Sequence, residues 1–350
     1  MGCKILHLKG CPFATANGAR ECMKQPDRQL GGRGQVIGSP GSGLKVLFIA
    51  GYARSGSTVL ERVLALDKRF AALGEVKHLW ELGYVKNALC GCGAPFSECA
   101  FWREIDERAF GRLVAGTAER LAKIRRTLVR PKTAGYLLSS GLAGGADPRH
   151  AGDYLDHVAT VYRAAREATG AEVILDGSKD AVHGLLLSTR EDIELHVLHL
   201  VRDPRGVAYS CSREKVRPEI HWKEQSQAVH RPARTAVVWS YRNTLAERLR
   251  SRAASYRLVR YEDFVRDPAR VLMQAQHDVG LETNGELVSG RHLMLPITHS
   301  ISGNGNRFED QAIELRSDER WRSGLTRWER LQTTLLSAPL IAKYGYRLRG

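Results

Sequence analysis

One short stretch, residues 46–64 with the sequence VLFIAGYARSGSTVLERVL, constrains the fold of this chain more than any other. Residues 46–50 are apolar or small and predict a buried strand, which ends at Gly51. Residues 57–66 then carry apolar side chains at helical spacing. Gly51 and Gly56 bracket a four-residue loop, whose backbone N–H groups can hold a phosphate together with the helix N-terminus. The stretch therefore predicts an α/β fold with an anion site after its first strand.

This loop lacks the residue that an ATP or GTP site needs. A Lys should follow Gly56 to reach the β and γ phosphates, but the chain has Ser57 there and Thr58 next. The positive charge lies instead inside the loop, at Arg54, followed by Ser55. We therefore expect a loop that binds phosphate without transferring a phosphoryl group.

Strands and helices alternate along the rest of the chain. Further buried strands are predicted at residues 172–176, 194–201 and 256–260. Helices are predicted at residues 75–88, 104–130, 153–169 and 227–252, and after the Asp-Pro pairs that begin at Asp203 and Asp267. Loops are predicted at residues 90–102 and 131–149. The alternation predicts a three-layer α/β domain with a central parallel sheet flanked by helices.

Composition limits the other possibilities. Residues 1–43 end in GGRGQVIGSPGSG and predict a flexible segment before a single domain at residues 44–350. No run approaches the roughly 20 apolar residues of a membrane span, and we see no secretory signal, so a cytoplasmic location is expected. The net charge of +15 suits anionic ligands. Nucleic acid is not the expected partner, because the Arg residues are dispersed and no recognition motif accompanies them.

Three polar clusters follow predicted strands: residues 54–58, 176–180 and 202–210. Ligands of an open parallel sheet bind outside the carboxyl ends of its strands. Since the clusters bring two Arg, one Lys and several hydroxyls to that edge, we expect a ligand with more than one anionic group.

At this point the chain resembles a known family. GYARSGSTVLERVL and LHLVRDPRGVAYSCSR resemble the two nucleotide-binding signatures of sulfotransferases, which use 3′-phosphoadenosine-5′-phosphosulfate (PAPS) as sulfuryl donor. The resemblance implies a P-loop-like fold in which residues 54–58 hold the 5′-phosphosulfate. It also implies that Arg202 and Ser210, eight residues apart, hold the 3′-phosphate. The cytosolic branch has Lys at the position of Arg54, so the closer resemblance is to the Arg-bearing bacterial and Golgi-like branch.

Other segments extend the resemblance over about residues 45–330. Leu73-Gly74-Glu75 resembles an element whose Glu is the proposed base, and residues 176–179 resemble an Asp-Ser-Ser-Lys element whose Lys lies near the transferring group. Residues 299–307, with Trp321 beyond, resemble the segment that covers the donor. Family-like positions are also seen at Trp239 and residues 259–264. The implied donor contacts of the covering segment are Gly303, Asn304 and Arg307.

The resemblance implies a mechanism for in-line sulfuryl transfer. Glu75 would take the acceptor proton, with His78 as an alternative base. Arg54 and Lys179 would stabilise the sulfuryl and leaving-group charge, so no divalent metal need be invoked. The backbone N–H groups of the loop and the hydroxyls of Ser57 and Thr58 would hold the 5′-phosphate.

Several alternatives stay open. Arg202 could pair with Asp203, and an acidic residue such as Glu75 is favoured at a helix N-terminus in any case. One rival function is a nucleoside-triphosphate-dependent kinase or hydrolase with an atypical loop, in which Asp176 would bind magnesium. Another is a non-catalytic basic binding module.

The acceptor is not specified beyond a hydroxyl or amine on a small molecule, glycan or lipid. Residues 90–150 and 213–232 match no pattern and are expected to shape its pocket, the second with basic residues that suit an anionic headgroup. The oligomeric state is not predicted.

Three cysteines form a separate group, with Cys90, Cys92 and Cys99 in C-x-C-x6-C spacing. A structural zinc site normally has four ligands, and the fourth is missing unless Cys211 or a His joins. The sequence therefore favours free thiols, with a metal site and a local disulfide left open.

Overall fold

The computed structural model describes residues 43–139 and 148–348, and its centre is a parallel β-sheet. Its strands are β1 (Leu44–Gly51), β2 (Phe70–Gly74), β3 (Val173–Lys179), β4 (Ile193–Val201) and β5 (Ser255–Arg260). They lie in the order β2-β3-β1-β4-β5, and every neighbouring pair is parallel. A small antiparallel pair is formed by β6 (His292–Leu293) and β7 (Ile313–Glu314). All five carboxyl ends of the main sheet therefore meet at one edge.

Helices surround the sheet. The described α-helices are α1 (Ser57–Leu64), α2 (Ala100–Phe110), α3 (Thr117–Leu128), α4 (Pro131–Ser139), α5 (Pro148–Thr169), α6 (Ala181–Leu187), α7 (Pro204–Cys211), α8 (Pro232–Glu247), α9 (Tyr261–Arg266), α10 (Pro268–Asp278), α11 (Trp321–Gly324) and α12 (Arg327–Lys343). In the described part of the chain, none of these helices combines the length and the apolar character needed to cross a bilayer.

The sheet separates two hydrophobic cores. In β1, Val46 and Phe48 face a core that includes side chains of α5 and α6, while Leu47 and Ile49 face a core formed with α1 and α10. This alternation follows from the period-two geometry of a strand. All four side chains are fully buried, as expected for a strand covered on both faces. The predicted three-layer α/β class is thus confirmed.

The two Asp-Pro helix starts are also confirmed. The Asp203 carboxylate accepts a hydrogen bond from the Arg205 N–H at 2.9 Å, and the Asp267 carboxylate accepts one from the Arg270 N–H at 3.0 Å. Each Asp therefore satisfies one backbone donor that the helix leaves unpaired at its N-terminus.

The sequence prediction missed β2. Its sequence, FAALG, contains two Ala and a Gly, which have weak strand preference. The segment nevertheless pairs with β3 along its length and is buried throughout. Tertiary pairing therefore overrides local propensity, and Glu75 follows a strand rather than beginning the helix predicted at residues 75–88. That helix is replaced by a 3₁₀ turn (Val76–His78) and a π-helical segment (Leu79–Val85).

Other boundaries differ as well. The helix predicted at residues 104–130 is divided into α2 and α3, because Gly111 and Gly116 adopt positive φ angles of 62° and 80°. The loop predicted at residues 131–149 contains α4, and α5 begins at Pro148. Part of that loop lies outside the described residues, as does the flexible segment predicted at residues 1–43 apart from its last residue.

Candidate functional site

The predicted polar residues meet at the carboxyl edge of the sheet. Arg54 lies in the loop after β1, Glu75 follows β2, Lys179 ends β3 and Arg202 follows β4. Tyr261 follows β5 at the same edge. Because the strands are parallel, residues as far apart in sequence as Arg54 and Tyr261 come together there without any local motif.

The loop between β1 and α1 has a conformation that suits close approach of a ligand. Gly56 has φ 90°, and a Cβ added there would lie 2.7 Å from the Tyr261 ring, so a larger residue does not fit. Arg54 also has a positive φ, 69°, which is uncommon for a residue with a side chain. The Arg202 guanidinium holds this turn by donating a 3.0 Å hydrogen bond to the Arg54 carbonyl. The Val59 and Leu60 N–H groups donate to the Gly56 carbonyl, whereas the N–H groups of Ser57 and Thr58 precede this first helical hydrogen bond and can bind an anion.

The Arg54 side chain is partly buried, and only two of its three guanidinium nitrogens have a hydrogen-bond partner among the described residues. Its Nε donates to the Ser210 hydroxyl at 3.1 Å, and its Nη1 donates to Gln227 Oε1 at 3.0 Å. Among the described residues, Nη2 is buried and has no hydrogen-bond partner. Burial lowers the pKa of Arg54; Cys211 opposes this effect in part, and Arg202 adds a smaller lowering. An anionic ligand would supply both the missing acceptor and the missing charge.

Arg202 is buried to 7% exposure and faces a cavity of about 610 Å³. Its guanidinium lies 4.7 Å from the Tyr261 ring centroid and pairs with the Asp318 carboxylate at 3.2 Å. The alternative pairing with Asp203 is wrong, since Asp203 pairs with Arg205 at 2.7 Å. The cavity lining includes the following residues: Arg54, Gly56, Arg202, Ser210, Lys215, Tyr261, Asn304 and Arg316. With Arg320 the lining contains five basic side chains against two acidic ones, Asp318 and Glu319, so the space next to the loop is cationic on balance.

Lys179 and Glu75 form a second group at the same edge. Lys179 Nζ donates to Glu75 Oε1 at 2.6 Å and to the Gly177 carbonyl at 3.3 Å. Lys77 Nζ and His78 Nε2 each lie 3.7 Å from Glu75 Oε2. Burial raises the pKa of Glu75, but the three neighbouring basic groups outweigh burial and hold that pKa at about 2. Burial, reinforced by Lys77, lowers the pKa of His78 to about 3. At neutral pH Glu75 is ionised and His78 is neutral.

A cavity of about 100 Å³ connects this pair with the loop. Its lining includes the following residues: Arg54, Gly56, Ser57, Thr58, Glu75, Lys179, Gln227, Gly303, Asn304 and Asn306. The Asn304 N–H donates to the Thr58 hydroxyl at 3.0 Å, so the segment around Gly303 lies against the start of α1. Arg54, Gly56 and Asn304 also line the larger cationic cavity, which makes the two spaces neighbours.

Some predicted residues lie elsewhere. Arg307 is fully buried, donates to the carbonyls of Ser300 (3.1 Å) and Leu89 (3.0 Å), and lines neither cavity. Asp176 is also fully buried and accepts a 2.5 Å hydrogen bond from the Tyr162 hydroxyl, so it does not offer its carboxylate to the loop. Arg307 therefore joins the chain at Ser300 to the chain at Leu89, and Asp176 belongs to the core.

The two tryptophans that fit the family pattern do not line the site. Trp239 is fully buried in α8 and packs against Tyr344. Trp321 stacks on the Arg205 guanidinium and lines a cavity of about 820 Å³. That cavity is lined by Arg202 but by none of Arg54, Glu75 or Lys179, so it does not contain the candidate reactive residues.

Sequence reasoning missed Gln227 near Arg54, and it expected Lys215 only as one of the basic residues of 213–232 that suit an anionic acceptor headgroup. Gln227 accepts a hydrogen bond from Arg54, and Lys215 lines the cationic cavity. Burial lowers the pKa of Lys215, and Arg54 adds to that effect. Both residues lie in the segment at 213–232, where no motif in the sequence marks them.

Comparisons with known proteins identify the family. A family model described as a sulfotransferase domain matches residues 44–300. No curated protein sequence matches the chain.

Solved structures of low sequence identity resemble the chain. One is the sulfotransferase domain of the olefin synthase from Synechococcus PCC 7002, with 20% identity over 88% of this chain and 98% of that chain and a TM-score of 0.48. Another is a sulfotransferase domain from the curacin biosynthetic pathway, with 16% identity, coverages of 87% and 98%, and a TM-score of 0.48. Sulfotransferase STF9 from Mycobacterium avium has 14% identity, coverages of 89% and 79%, and a TM-score of 0.45. The family match extends over most of the chain, and this protein belongs to the sulfotransferase family.

Proposed function

We propose that this sulfotransferase uses PAPS as its donor and transfers the sulfuryl group to an acceptor hydroxyl or amine. The observation that carries the proposal is the position of Arg54, which lines both of two neighbouring cavities. One space contains Lys179 and Glu75, and the other contains Arg202 and Ser210. PAPS carries anionic groups at the 5′ and 3′ positions of its ribose, whereas ATP has no 3′-phosphate.

The donor would be held along the edge of the sheet. The N–H groups of the loop, with the hydroxyls of Ser55, Ser57 and Thr58, would bind the 5′-phosphate. The hydroxyl of Ser55 is buried and has no hydrogen-bond partner among the described residues, which supports a ligand acceptor there. Arg202 and Ser210 would bind the 3′-phosphate.

The segment around Gly303 and Asn304 would cover the donor, since Asn304 lines both spaces and its N–H is bonded to Thr58. Arg307 would contribute by position rather than by contact, because its guanidinium is buried between the Leu89 and Ser300 carbonyls.

The transfer step requires a base for the acceptor proton and positive charge near both the sulfuryl oxygens and the departing oxygen. The acceptor oxygen or nitrogen forms a bond to sulfur while the bond from sulfur to the bridging phosphate oxygen breaks. Glu75 takes the acceptor proton, and adenosine 3′,5′-bisphosphate leaves with the electron pair of the broken bond. Lys179 and Arg54 stabilise the charge on the sulfuryl oxygens and the departing oxygen, and these protein cations supply the positive charge that the step needs.

The ion pair between Glu75 and Lys179 couples donor binding to proton transfer. A carboxylate with a pKa of about 2 is a weak base while Lys179 remains bonded to it. When the Lys179 ammonium turns toward the donor, Glu75 loses its strongest stabilising charge and its pKa rises. Glu75 then becomes a better base only after the donor has bound.

For the acceptor, we propose a small molecule, glycan or lipid that carries a negatively charged group. Residues 216–226 form a loop whose ends are joined by an antiparallel bridge between Val216 and Ser226. A cavity of about 290 Å³ beside this segment is lined by Lys86, Arg217, Ile220, Trp222, Lys223 and Gln225. Its three cations and one indole suit an anionic acceptor with some apolar surface.

Two measurements test this proposal. Calorimetry should show much tighter binding of adenosine 3′,5′-bisphosphate than of ATP, because only the former carries a 3′-phosphate. Transfer of labelled sulfate from PAPS to a panel of phenols, peptides, glycans and lipids should then identify an acceptor. Preference for ATP with release of phosphate would favour a kinase or hydrolase. Tight bisphosphate binding with no transfer to any acceptor would favour a binding module.

A further inference from the structure

Four potential metal ligands converge on one side of the covering segment. They are the side chains of Cys90, Cys92, Cys99 and His299, referred to below as the Cys3His cluster. His299 lies 200 positions from Cys99, which is why spacing within the cysteine loop does not reveal it. All four ligand atoms lie within 4.8 Å of one another. We propose that the Cys3His cluster binds one structural Zn²⁺ ion.

The distances within the cluster match a tetrahedral site. Zinc–sulfur bonds of about 2.3 Å and zinc–nitrogen bonds of about 2.0–2.1 Å place two sulfurs about 3.8 Å apart, and a sulfur and a nitrogen about 3.6 Å apart. Cys99 Sγ lies 3.6 Å from Cys90 Sγ and 3.7 Å from Cys92 Sγ. His299 Nδ1 lies 3.7 Å from Cys90 Sγ and 3.3 Å from Cys99 Sγ. Four edges of the tetrahedron are thus close to their expected lengths.

The ligand chemistry selects zinc over other common ions. Three thiolates and one imidazole favour a borderline-soft ion, whereas Mg²⁺ and Ca²⁺ prefer oxygen ligands. A closed set of four protein ligands is typical of structural rather than catalytic zinc sites. A disulfide would require a sulfur–sulfur distance of about 2.0 Å, and all three cysteines are free.

The surrounding chain holds the ligands in place. The His299 ring stacks on Phe101 with ring centroids 4.6 Å apart, and Trp102 Nε1 donates to the His299 carbonyl at 2.8 Å. Gly91 allows the two segments to meet, because a Cβ there would lie 2.2 Å from the Thr298 carbonyl oxygen. These contacts, together with a 3.0 Å hydrogen bond from the Gly91 N–H to the Ser300 carbonyl, hold the imidazole against the cysteine loop, and a metal ion would join the four ligand side chains directly.

The position of the cluster indicates what the ion would stabilise. It would join the cysteine loop to the segment that runs from His299 to Asn304, whose last residue is hydrogen-bonded to Thr58. Arg307 bridges the same two segments through the Leu89 and Ser300 carbonyls. The ion would therefore anchor the N-terminal end of the segment that covers the phosphate loop.

Metal analysis of the purified full-length protein tests the site directly. We expect about one equivalent of zinc per chain in the wild type. The variants C92S and H299N should retain less than about 0.2 equivalents. C92S is the gentler change, since solvent reaches Cys92 while Cys90 and Cys99 are buried. C211S is the matched control, because Cys211 is a free cysteine outside the cluster, and its zinc content should stay at one equivalent.

A second measurement does not depend on any variant. Protein stripped of metal and reconstituted with Co²⁺ should show the intense visible bands of tetrahedral cobalt and a thiolate charge-transfer band in the near ultraviolet. Removal of the metal should lower the melting temperature by roughly 5 °C or more. Hydrogen exchange should increase in residues 90–99 and 298–304 and change little in β1 and β4.

Three results would overturn the proposal. They are substoichiometric zinc in the wild type with no cobalt bands, full zinc retention in both C92S and H299N, and stoichiometric iron in place of zinc. Each readout is independent of donor binding and turnover, so failure of the metal site leaves the proposed sulfuryl transfer untouched.

Discussion

Lys179 Nζ lies 2.6 Å from Glu75 Oε1, and the two residues come from the ends of adjacent strands 104 positions apart. If Glu75 is the base, replacing it with Gln removes the proton acceptor but keeps its size. We expect E75Q to lower kcat by roughly 100-fold. The dissociation constant for adenosine 3′,5′-bisphosphate should stay within about threefold, since Glu75 is not expected to contact that product. Steady-state sulfuryl transfer and calorimetry measure the two quantities.

H78N is the matched control for this prediction. His78 lies 3.7 Å from Glu75 and is the alternative base. We expect H78N to keep most of the wild-type kcat, because Glu75 remains. A large loss in H78N together with a normal rate in E75Q would assign the proton to His78 instead.

The second prediction concerns the pH profile of Lys179→Met. Lys179 is the strongest of the basic groups that lower the pKa of Glu75 against the effect of burial. Loss of this cation favours the protonated carboxyl, so the pKa of Glu75 rises in the variant. In the wild type, protonation of Glu75 should not lower kcat/KM at any pH above about 4. In the variant, the remaining kcat/KM should begin to fall at a higher pH, because Glu75 is protonated there. Identical acid limbs in the two proteins would show that Lys179 does not control the base.

Arg202 supports a prediction about the 3′-phosphate. We expect R202A to weaken binding of adenosine 3′,5′-bisphosphate by roughly 2–4 kcal/mol, the magnitude for loss of a charge-assisted contact in a buried site. Binding of adenosine 5′-phosphate should weaken much less, because it has no 3′-phosphate. The ratio of the two dissociation constants should therefore fall toward one.

R266A controls for the loss of one positive charge. The Arg266 side chain is 70% exposed and lines neither of the two spaces assigned to the donor. Both dissociation constants should stay close to wild type in this variant. An unchanged ratio in R202A would remove Arg202 from the 3′-phosphate site.

The sequence predicted the parts of the site that follow from local pattern. The loop at Arg54 and the Asp-Pro start of α7 were found because glycine spacing and helix capping are local signals. The other parts of the site depend on tertiary contacts, which a local sequence pattern does not reveal. The strand before Glu75 was missed because FAALG has weak strand preference and is stabilised by pairing with β3. His299 could not be assigned to the cysteines, because 200 residues separate it from Cys99.

Arg307 illustrates the limit of a family resemblance. The pattern at residues 299–307 led to the expectation that its guanidinium contacts the donor. In the structure that guanidinium is fully buried and bonded to two backbone carbonyls. A motif predicts that a residue has a function, but only the contacts of that residue show whether it can bind a ligand or instead positions another segment.

The last prediction concerns stability and rests on Glu61, a buried residue of α1 beside the site. Its Oε1 accepts a 2.7 Å hydrogen bond from the Gly74 N–H. Burial raises the pKa of Glu61 to about 8, and the Gly74 N–H and Lys179 oppose that rise only in part. Between pH 4.5, the ordinary pKa of a glutamate, and about pH 8, the folded protein therefore holds a proton on Glu61 that the unfolded chain has lost. Folding stability consequently falls as the pH rises through this window.

The variant E61Q tests this prediction, because its amide keeps the hydrogen bond but does not titrate. From pH 5 to 8 we expect the free energy of unfolding of the wild type to fall relative to that of E61Q by about 1.4 kcal/mol per pH unit at most. Urea unfolding at four pH values measures both proteins, with E119Q, a change at an exposed glutamate, as the control. Parallel pH curves for wild type and E61Q would show that Glu61 is ionised in the folded protein at neutral pH.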